Sequence, residues 1–384
     1  MNIIIAIRNY IIGFFYRNVF KPICFSQDPE IVHDKFTSVG EFLGSHRFTK
    51  FVVKCLFLYK NKMLAQNVCD INFSNPIGLS AGFDYEAKLT QILSDMGFGF
   101  HTVGTITHLP YEGNPKPRLG RLPKSQSLLV NKGFKSSGAK AGIKKLEKLN
   151  FKNPIGISIG RTNGNEDVTI QSQAVNDIVS SFKLWEESKV EHSYYELNIS
   201  CPNLFGSASF YSPQNLDELL EALFKLGITK PVFIKMPINE LDESVLSMLK
   251  IASKYNFITG VIFGNLQKDR SDPSFVKEEI ETATKGHFSG KPTFKRSTEL
   301  IRLTSKNFNK RFIIIGCGGI FTAKDAYEKI KAGASLLQMI TGMIFNGPQS
   351  ISDINRGLVK LIKKDGYASV SEAVGVDNKN KFNN

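Results

Sequence analysis

Cysteine is scarce and scattered: Cys24, Cys55, Cys69, Cys201 and Cys317 form no CxxC pair and no His/Cys spacing of ligand type. That argues against a zinc site and a disulfide framework, and for a reducing, cytosol-facing compartment. Long apolar runs are missing too. The first residues, "MNIIIAIRNYIIGFFYRNVFKP", are interrupted by Arg8 and Asn9, so no uninterrupted run approaches the ~20 residues of a spanning helix. Arg8 lies inside the apolar stretch while Arg17 and Lys21 follow it, the wrong order for a signal peptide. An amphipathic helix in a membrane interface, or one packed on the protein's own core, fits this pattern. No internal repeat occurs, and the only biased tract is the polar tail "DNKNKFNN". Acidic residues are outnumbered, 35 against 49 basic, giving a formal charge of +14. Anionic substrates, a membrane surface, nucleic acid and a merely solvated lysine-rich surface all suit that balance.

What is present is a hydrophobic fraction of 42%, ample for a core, in a chain of 384 residues. Two further helices are expected over "DPEIVHDKFTSVGEFLG" and "FTKFVVKCLFLYKNK". The texture then changes to strands alternating with helical patterns. The strands are "NPIGLSAG", "FHTVGT", "PIGISIG", "YYELNIS", "PVFIKMP", "TGVIFGN", "RFIIIGCGG" and "SLLQMITG". A helix is expected through "EAKLTQILSDMG" after the first of them. Eight βα units predict an α/β fold, a (β/α)8 TIM barrel with an N-terminal helical extension; a doubly wound sheet is the alternative. The expected divisions are a helical segment over 1–65, the barrel over 66–375 and a disordered tail over 376–384. Long connections after strand four ("LFGSASFYSPQN") and strand six ("LQKDRSDPSFVKEEIETATKGHFSGKPTFKRST") leave the face where barrels keep their chemistry, which suggests lids.

Glycines end strand seven in "IIIGCGGI", and Gly342 follows strand eight. Those two loops commonly hold a phosphate, because glycine lets backbone N–H groups approach the anion. Lys235 closes the apolar strand "VFIKMP", where a cation is costly unless an anion or electron-rich ring needs it. Asn198, Asn203 and Asn265 also stand at strand ends, where amides can read the edges of a heterocycle or simply bridge loops. Cys201, in "ELNISCPN", lies just beyond strand four and ahead of a long loop. A lone cysteine is commonly core packing, but with no His/Asp pattern to make it an acyl-transfer nucleophile, the functional role it suits is a general base.

Together these residues resemble the dihydroorotate dehydrogenase family, FMN enzymes on (β/α)8 barrels. The most specific stretches are "NPIGLSAGFD", "EGNPKPRLGRLP", "NISCPN", "SGKPTFKRSTELIR" and "GCGGIFTAKDAYEKIKAGASLLQMITGMIFNGP". The leading helices and "GNPKPRLGRL" resemble the quinone-linked, membrane-associated class. The resemblance implies FMN contacts at Ala81, Gly82, Thr105, Ser158, Asn198, Lys235, Gly290, Gly318, Gly319, Ile340, Thr341 and Gly342. It implies pyrimidine contacts at Tyr85, Asn131, Gly133, Phe134, Asn198, Asn203 and Asn265, and a quinone entrance lined by His33 and Arg121. Cys201 matches the base, although quinone-linked members usually carry serine there. Tyr85 replaces the family lysine of "AGFDK", Val130 stands at a substrate asparagine with Asn131 adjacent, and Ser158 stands at an FMN asparagine. Lys88 and Lys132 are the cations that could make good the loss at Tyr85. The implied partners are dihydroorotate, orotate and a membrane quinone, with peripheral association at the cytoplasmic face and no nucleic acid or metal. The alternatives are an FMN oxidoreductase of another substrate and a flavin-binding protein without turnover.

Overall fold

The computed structural model describes residues 2–164, 168–308 and 310–379. Eight parallel strands, Ile77–Leu79 (β1), Phe100–Ile106 (β2), Ile155–Ile159 (β3), Tyr194–Asn198 (β4), Val232–Met236 (β5), Ile258–Phe263 (β6), Ile313–Cys317 (β7) and Leu336–Met339 (β8), close into a barrel in sequence order. These are the eight strands that the sequence predicts. They are apolar on both faces because the barrel interior takes one set of side chains and the surrounding helices the other. Helix Pro213–Phe224 shows how the outer ring is specified. Ser212 accepts the Asn215 amide at its start, a proline occupies the first turn, and Leu216, Leu219, Leu220 and Leu223 form one buried stripe.

The first crossover departs from expectation. No helix forms over "EAKLTQILSDMG"; the segment is a run of turns. Buried Asp84 accepts the amides of Lys88 and Leu89 at 2.7 and 3.0 Å, and Ala87 takes a φ of 55°. A side-chain acceptor and a left-handed residue at the start stop the α-helical ladder from propagating.

Small sheets absent from the sequence reading cover the barrel's ends. At the bottom, the hairpin Gln66–Val68/Ile71–Phe73 turns through Cys69 and Asp70, both at positive φ, and sets Val68 and Phe73 among Phe100, Tyr194 and Phe233. Above β2 and β6, strands Leu119–Leu122, Ser127–Val130 and His287–Gly290 form an antiparallel sheet. The long connection after β6 is therefore ordered by pairing rather than left as a free loop, and it also carries a helix, Lys277–Glu281.

Ahead of the barrel, Asn2–Phe15, a π turn Tyr16–Phe20 and Lys21–Phe25 run on without a break. Arg8 and Asn9 do not interrupt this helix, and over Ile3–Phe25 it is long and apolar enough to cross a membrane by length and composition. The two polar residues dock the helix instead: Arg8 reaches the Cys55 carbonyl at 2.9 Å and the Ser352 hydroxyl at 3.0 Å, and Asn9 donates to Ser352 and Asp353. Helices Pro29–Ser45 and Arg47–Phe57 complete the cap. At the other end, Val376–Lys379 form a helical turn where a structureless tail is predicted, because Asn378 ties it to Ser305 and Ala332. Residues 380–384 lie outside the described residues.

Candidate active site

One cavity of about 470 Å³ runs from the cap helices to the carboxyl ends of the barrel strands. Its outer part is apolar, formed by Val32, Phe36, Val39 and Leu43 of helix Pro29–Ser45. Its inner part is polar, with Thr105, Asn198, Cys201, Asn203, Lys235 and Asn265 from the ends of β2, β4, β5 and β6.

The floor is built from side chains that hold one another. Asn198 Nδ2 donates to Thr105 Oγ1 at 2.8 Å, and that oxygen lies 2.9 Å from Ser158 Oγ. Lys235 is buried, and its only protein hydrogen bond among the described residues is a 3.3 Å contact from Nζ to Ser80 Oγ. Such a cation beside a cavity fits an anion or electron-rich ring in that space. Gly82 has a φ of 107° and nothing within 4 Å of where a Cβ would stand, so the cavity wall there is bare backbone. Gly318 and Gly319, at the end of β7, are also at positive φ, and a Cβ at either would run into Thr293 or Phe294. Ser289 and Thr341 hydroxyls meet at 2.9 Å beside Gly290. A planar aromatic cofactor with an anionic tail fits this donor set: a bare backbone wall, a buried ammonium and glycine loops at β7 and β8.

Cys201 is partly buried and lies between the main cavity and a smaller one of about 160 Å³ lined by Arg161, Tyr211 and Lys268. Burial pushes its thiol up to about 11, opposed by the Asn203 amide and by Lys235, Arg161 and Lys268. Asn265 donates to Ser200 at 2.6 Å, and Asn203 donates to the Val130 carbonyl at 3.1 Å.

The predicted site residues divide in space. Ala81, Gly82, Thr105, Asn198, Lys235, Ile340 and Thr341 line the cavity, as do Gly133, Phe134, Asn203 and Asn265. Ser158, Gly290, Gly318, Gly319 and Gly342 stand behind that lining. Asn131 is not brought to the cavity; its Oδ1 accepts from Asn114. Tyr85 lines it on the cap side, stacked on His33 at 5.3 Å between ring centroids and hydrogen-bonded to Asp34 and Lys132. His33 Nε2 lies 2.7 Å from the Phe83 carbonyl. Arg121 donates to the Gln27 carbonyl at 2.6 Å and lies over the Phe25 ring, anchoring the cap where it turns. Of the two cations considered beside Tyr85, Lys88 pairs with Glu86 at 2.7 Å, whereas Lys132 is buried on the tyrosine.

Two arrangements escaped the sequence reading. Glu30 and Arg118 form a buried ion pair at 2.8 Å that fastens helix Pro29–Ser45 to the small sheet. Inside the barrel, Glu196 meets Thr102 and Gln338 at 2.5 Å each. Neither has a local signature, since the partners are 88 to 142 residues apart.

The family model for dihydroorotate dehydrogenase matches residues 63–362. A protein of Trichodesmium erythraeum (strain IMS101) named dihydroorotate dehydrogenase (quinone) is 36% identical over 95% of this chain and 99% of its own. One of the same name from Christiangramia forsetii is 36% identical over 90% of this chain and 99% of its own. Among solved structures, DHODH from Eimeria tenella in complex with ferulenol superimposes with a TM-score of 0.81 at 27% identity, covering 92% of this chain and 96% of that one.

Proposed function

The chain belongs to the dihydroorotate dehydrogenase family, and from that premise we propose that it oxidises dihydroorotate to orotate with FMN and passes the electrons to a membrane quinone, a step of pyrimidine biosynthesis. The observation that carries this reading is that one cavity is polar at the strand ends and apolar between the cap helices. One opening thus serves a polar heterocycle at its floor and an apolar electron acceptor at its mouth.

When bound, the flavin supplies the two-electron acceptor. Gly82, Lys235, Thr341 and the glycines at Gly318–Gly319 would hold it, with Asn198 fixed by Thr105 at its edge. Asn203 and Asn265 orient the pyrimidine. Cys201 takes the proton from carbon five of dihydroorotate as the hydride leaves carbon six. Lys235, Arg161 and Lys268 stabilise the thiolate that must precede that transfer, against a burial that favours the thiol.

Residues 1–65 serve as the quinone entrance, 66–375 as the catalytic barrel, and the protein sits peripherally on the cytoplasmic face of the membrane. Support for the membrane comes from the exposed apolar side chains of the cap: Ile3, Ile4, Tyr10, Phe42, Phe48 and Phe51 are each more than half exposed. The same chemistry on another substrate is the second reading, favoured by Tyr85 facing the cap and by Asn131 lying outside the cavity. Chromatography of the flavin released from purified protein and of the product formed from dihydroorotate tests the first reading. FMN and orotate are the expected results; bound FMN with no orotate would favour the second.

A further inference from the structure

A hydrogen-bonded chain connects solvent to the cavity on its cap side. The Asp34 side chain, on helix Pro29–Ser45, is 47% exposed. Its Oδ1 accepts the Tyr85 hydroxyl at 3.1 Å, and the Tyr85 oxygen accepts from Lys132 Nζ, also at 3.1 Å. Tyr85 and Lys132 are 5% and 8% exposed, and both line the cavity. Among the described residues the Lys132 ammonium has no other hydrogen-bond partner, and it lies 4.2 Å from the tyrosine ring centroid. An ammonium so nearly enclosed, with donors to spare beside a cavity, is not explained by packing.

The position of the chain separates it from the proton chemistry at Cys201. Charges acting on Cys201 are Lys235, Arg161 and Lys268. Those acting on Lys132 are Glu30 and Asp34 of the cap helix, with Lys135 and Arg118 of the adjoining segment. Lys132 therefore stands at the end of the cavity where the apolar channel meets the barrel.

Resting on the function proposed above, we infer that Asp34, Tyr85 and Lys132 are the proton entry for quinone reduction, with Lys132 as donor to a quinone oxygen. A quinone becomes a quinol by taking up two electrons and two protons. Both electrons and one proton come from the reduced flavin. The second proton leaves Lys132 Nζ as the O–H bond forms. The neutral amine takes the Tyr85 hydroxyl proton while the phenol oxygen receives one that a solvent hydronium delivers by way of the exposed Asp34 carboxylate, which holds it only in passing because hydrogen bonds from His33 and Tyr85 keep it below the usual carboxylate range. Tyr85 is never left ionised, in keeping with the upward push that burial gives its hydroxyl.

Burial draws the Lys132 ammonium down to about 8 against the raising influence of Glu30 and Asp34. The groups facing it are Glu30, His33 and Asp34 from the cap helix, Tyr85 from the first crossover, and Arg118 and Lys135. The protonated donor is thus present below pH 8 and lost above it, so quinone reduction should fall as pH rises through that value.

The test uses the full-length flavin-loaded protein, reduced with dithionite so that dihydroorotate is not required, and mixed with a short-chain ubiquinone or with ferricyanide, which takes electrons but no proton. Lys132→Gln is expected to slow reoxidation by the quinone about tenfold or more and to flatten its pH profile, with ferricyanide changed less than about twofold. Tyr85→Phe, which keeps the amine and breaks the chain, is expected to slow the quinone alone. Independently of turnover, 15N NMR of the lysine side chains should show one ammonium titrating near 8, absent in Lys132→Gln and displaced in Tyr85→Phe. Equal slowing with both acceptors, an unchanged pH profile, or slower bleaching by dihydroorotate in Lys132→Gln would overturn the assignment. A wild-type protein that dihydroorotate does not bleach would count against the function proposed above and leave this test intact.

Discussion

At Cys201 the local environment reverses the expectation drawn from the residue type. An ordinary thiol ionises near ~8.5, whereas burial holds this one up to about 11. A base that must first lose a proton then works faster as pH rises, so flavin reduction by dihydroorotate should climb roughly tenfold per pH unit through the neutral range. Cys201→Ala should lower that rate by about 10²–10⁴-fold with flavin still bound, and Cys201→Ser should fall between and shift the profile upward. Were the residue mere packing, alanine would reduce thermal stability modestly and leave the stopped-flow bleaching rate unchanged. At Gly319, with φ at 69° and Phe294 only 2.4 Å from the position of a Cβ, valine is expected to empty the flavin site while circular dichroism still reports a folded barrel. Full flavin occupancy in Gly319→Val would remove the loop from the cofactor's binding set. The amides at Asn198, Asn203 and Asn265 were legible as strand-end polar groups. The displacement of Asn131 was not, because it depends on an asparagine cluster drawn together from positions 114, 131, 163 and 203.

The eight barrel strands were readable because each is a short apolar run followed by a turn signal. The crossover helix over "EAKLTQILSDMG" was misread because its apolar spacing looks helical while Asp84 holds the first turn in another conformation. Antiparallel pairing of Ser127–Val130 with His287–Gly290 joins strands separated by more than 150 residues, and no local pattern announces it. The hold of the cap on the barrel likewise lies in one distant pair. Glu30→Gln leaves the Arg118 guanidinium buried without its carboxylate, at an expected cost of about 3–5 kcal/mol. Denaturant unfolding should show that loss, and limited proteolysis should release helix Pro29–Ser45 first. A loss below about 1 kcal/mol would mean that the Glu112 and Asn114 carbonyls, which also accept from Arg118, and solvent suffice to hold the guanidinium.

Over the whole molecule, the cap presents its apolar side outward and its polar contacts inward, so the helix Ile3–Phe25 is docked through Arg8, Asn9, Tyr16 and Lys21 while Ile7, Phe14 and Phe20 face away. Burying an apolar side chain contributes ~1.5–3 kcal/mol. Replacing Ile7, Phe14 and Phe48 together by glutamate should therefore weaken sedimentation with phospholipid vesicles by at least about a hundredfold, with flavin content unchanged. Undiminished vesicle binding would remove that face from contact with lipid.

The most direct measurement is an anaerobic double-mixing experiment on the purified full-length protein. Dihydroorotate should bleach the flavin absorbance with formation of orotate, and a quinone added afterwards should restore it with formation of quinol. A protein that carries flavin yet keeps its colour with saturating dihydroorotate, or that bleaches and is not reoxidised by quinone, would contradict the assignment of one cavity to both half-reactions.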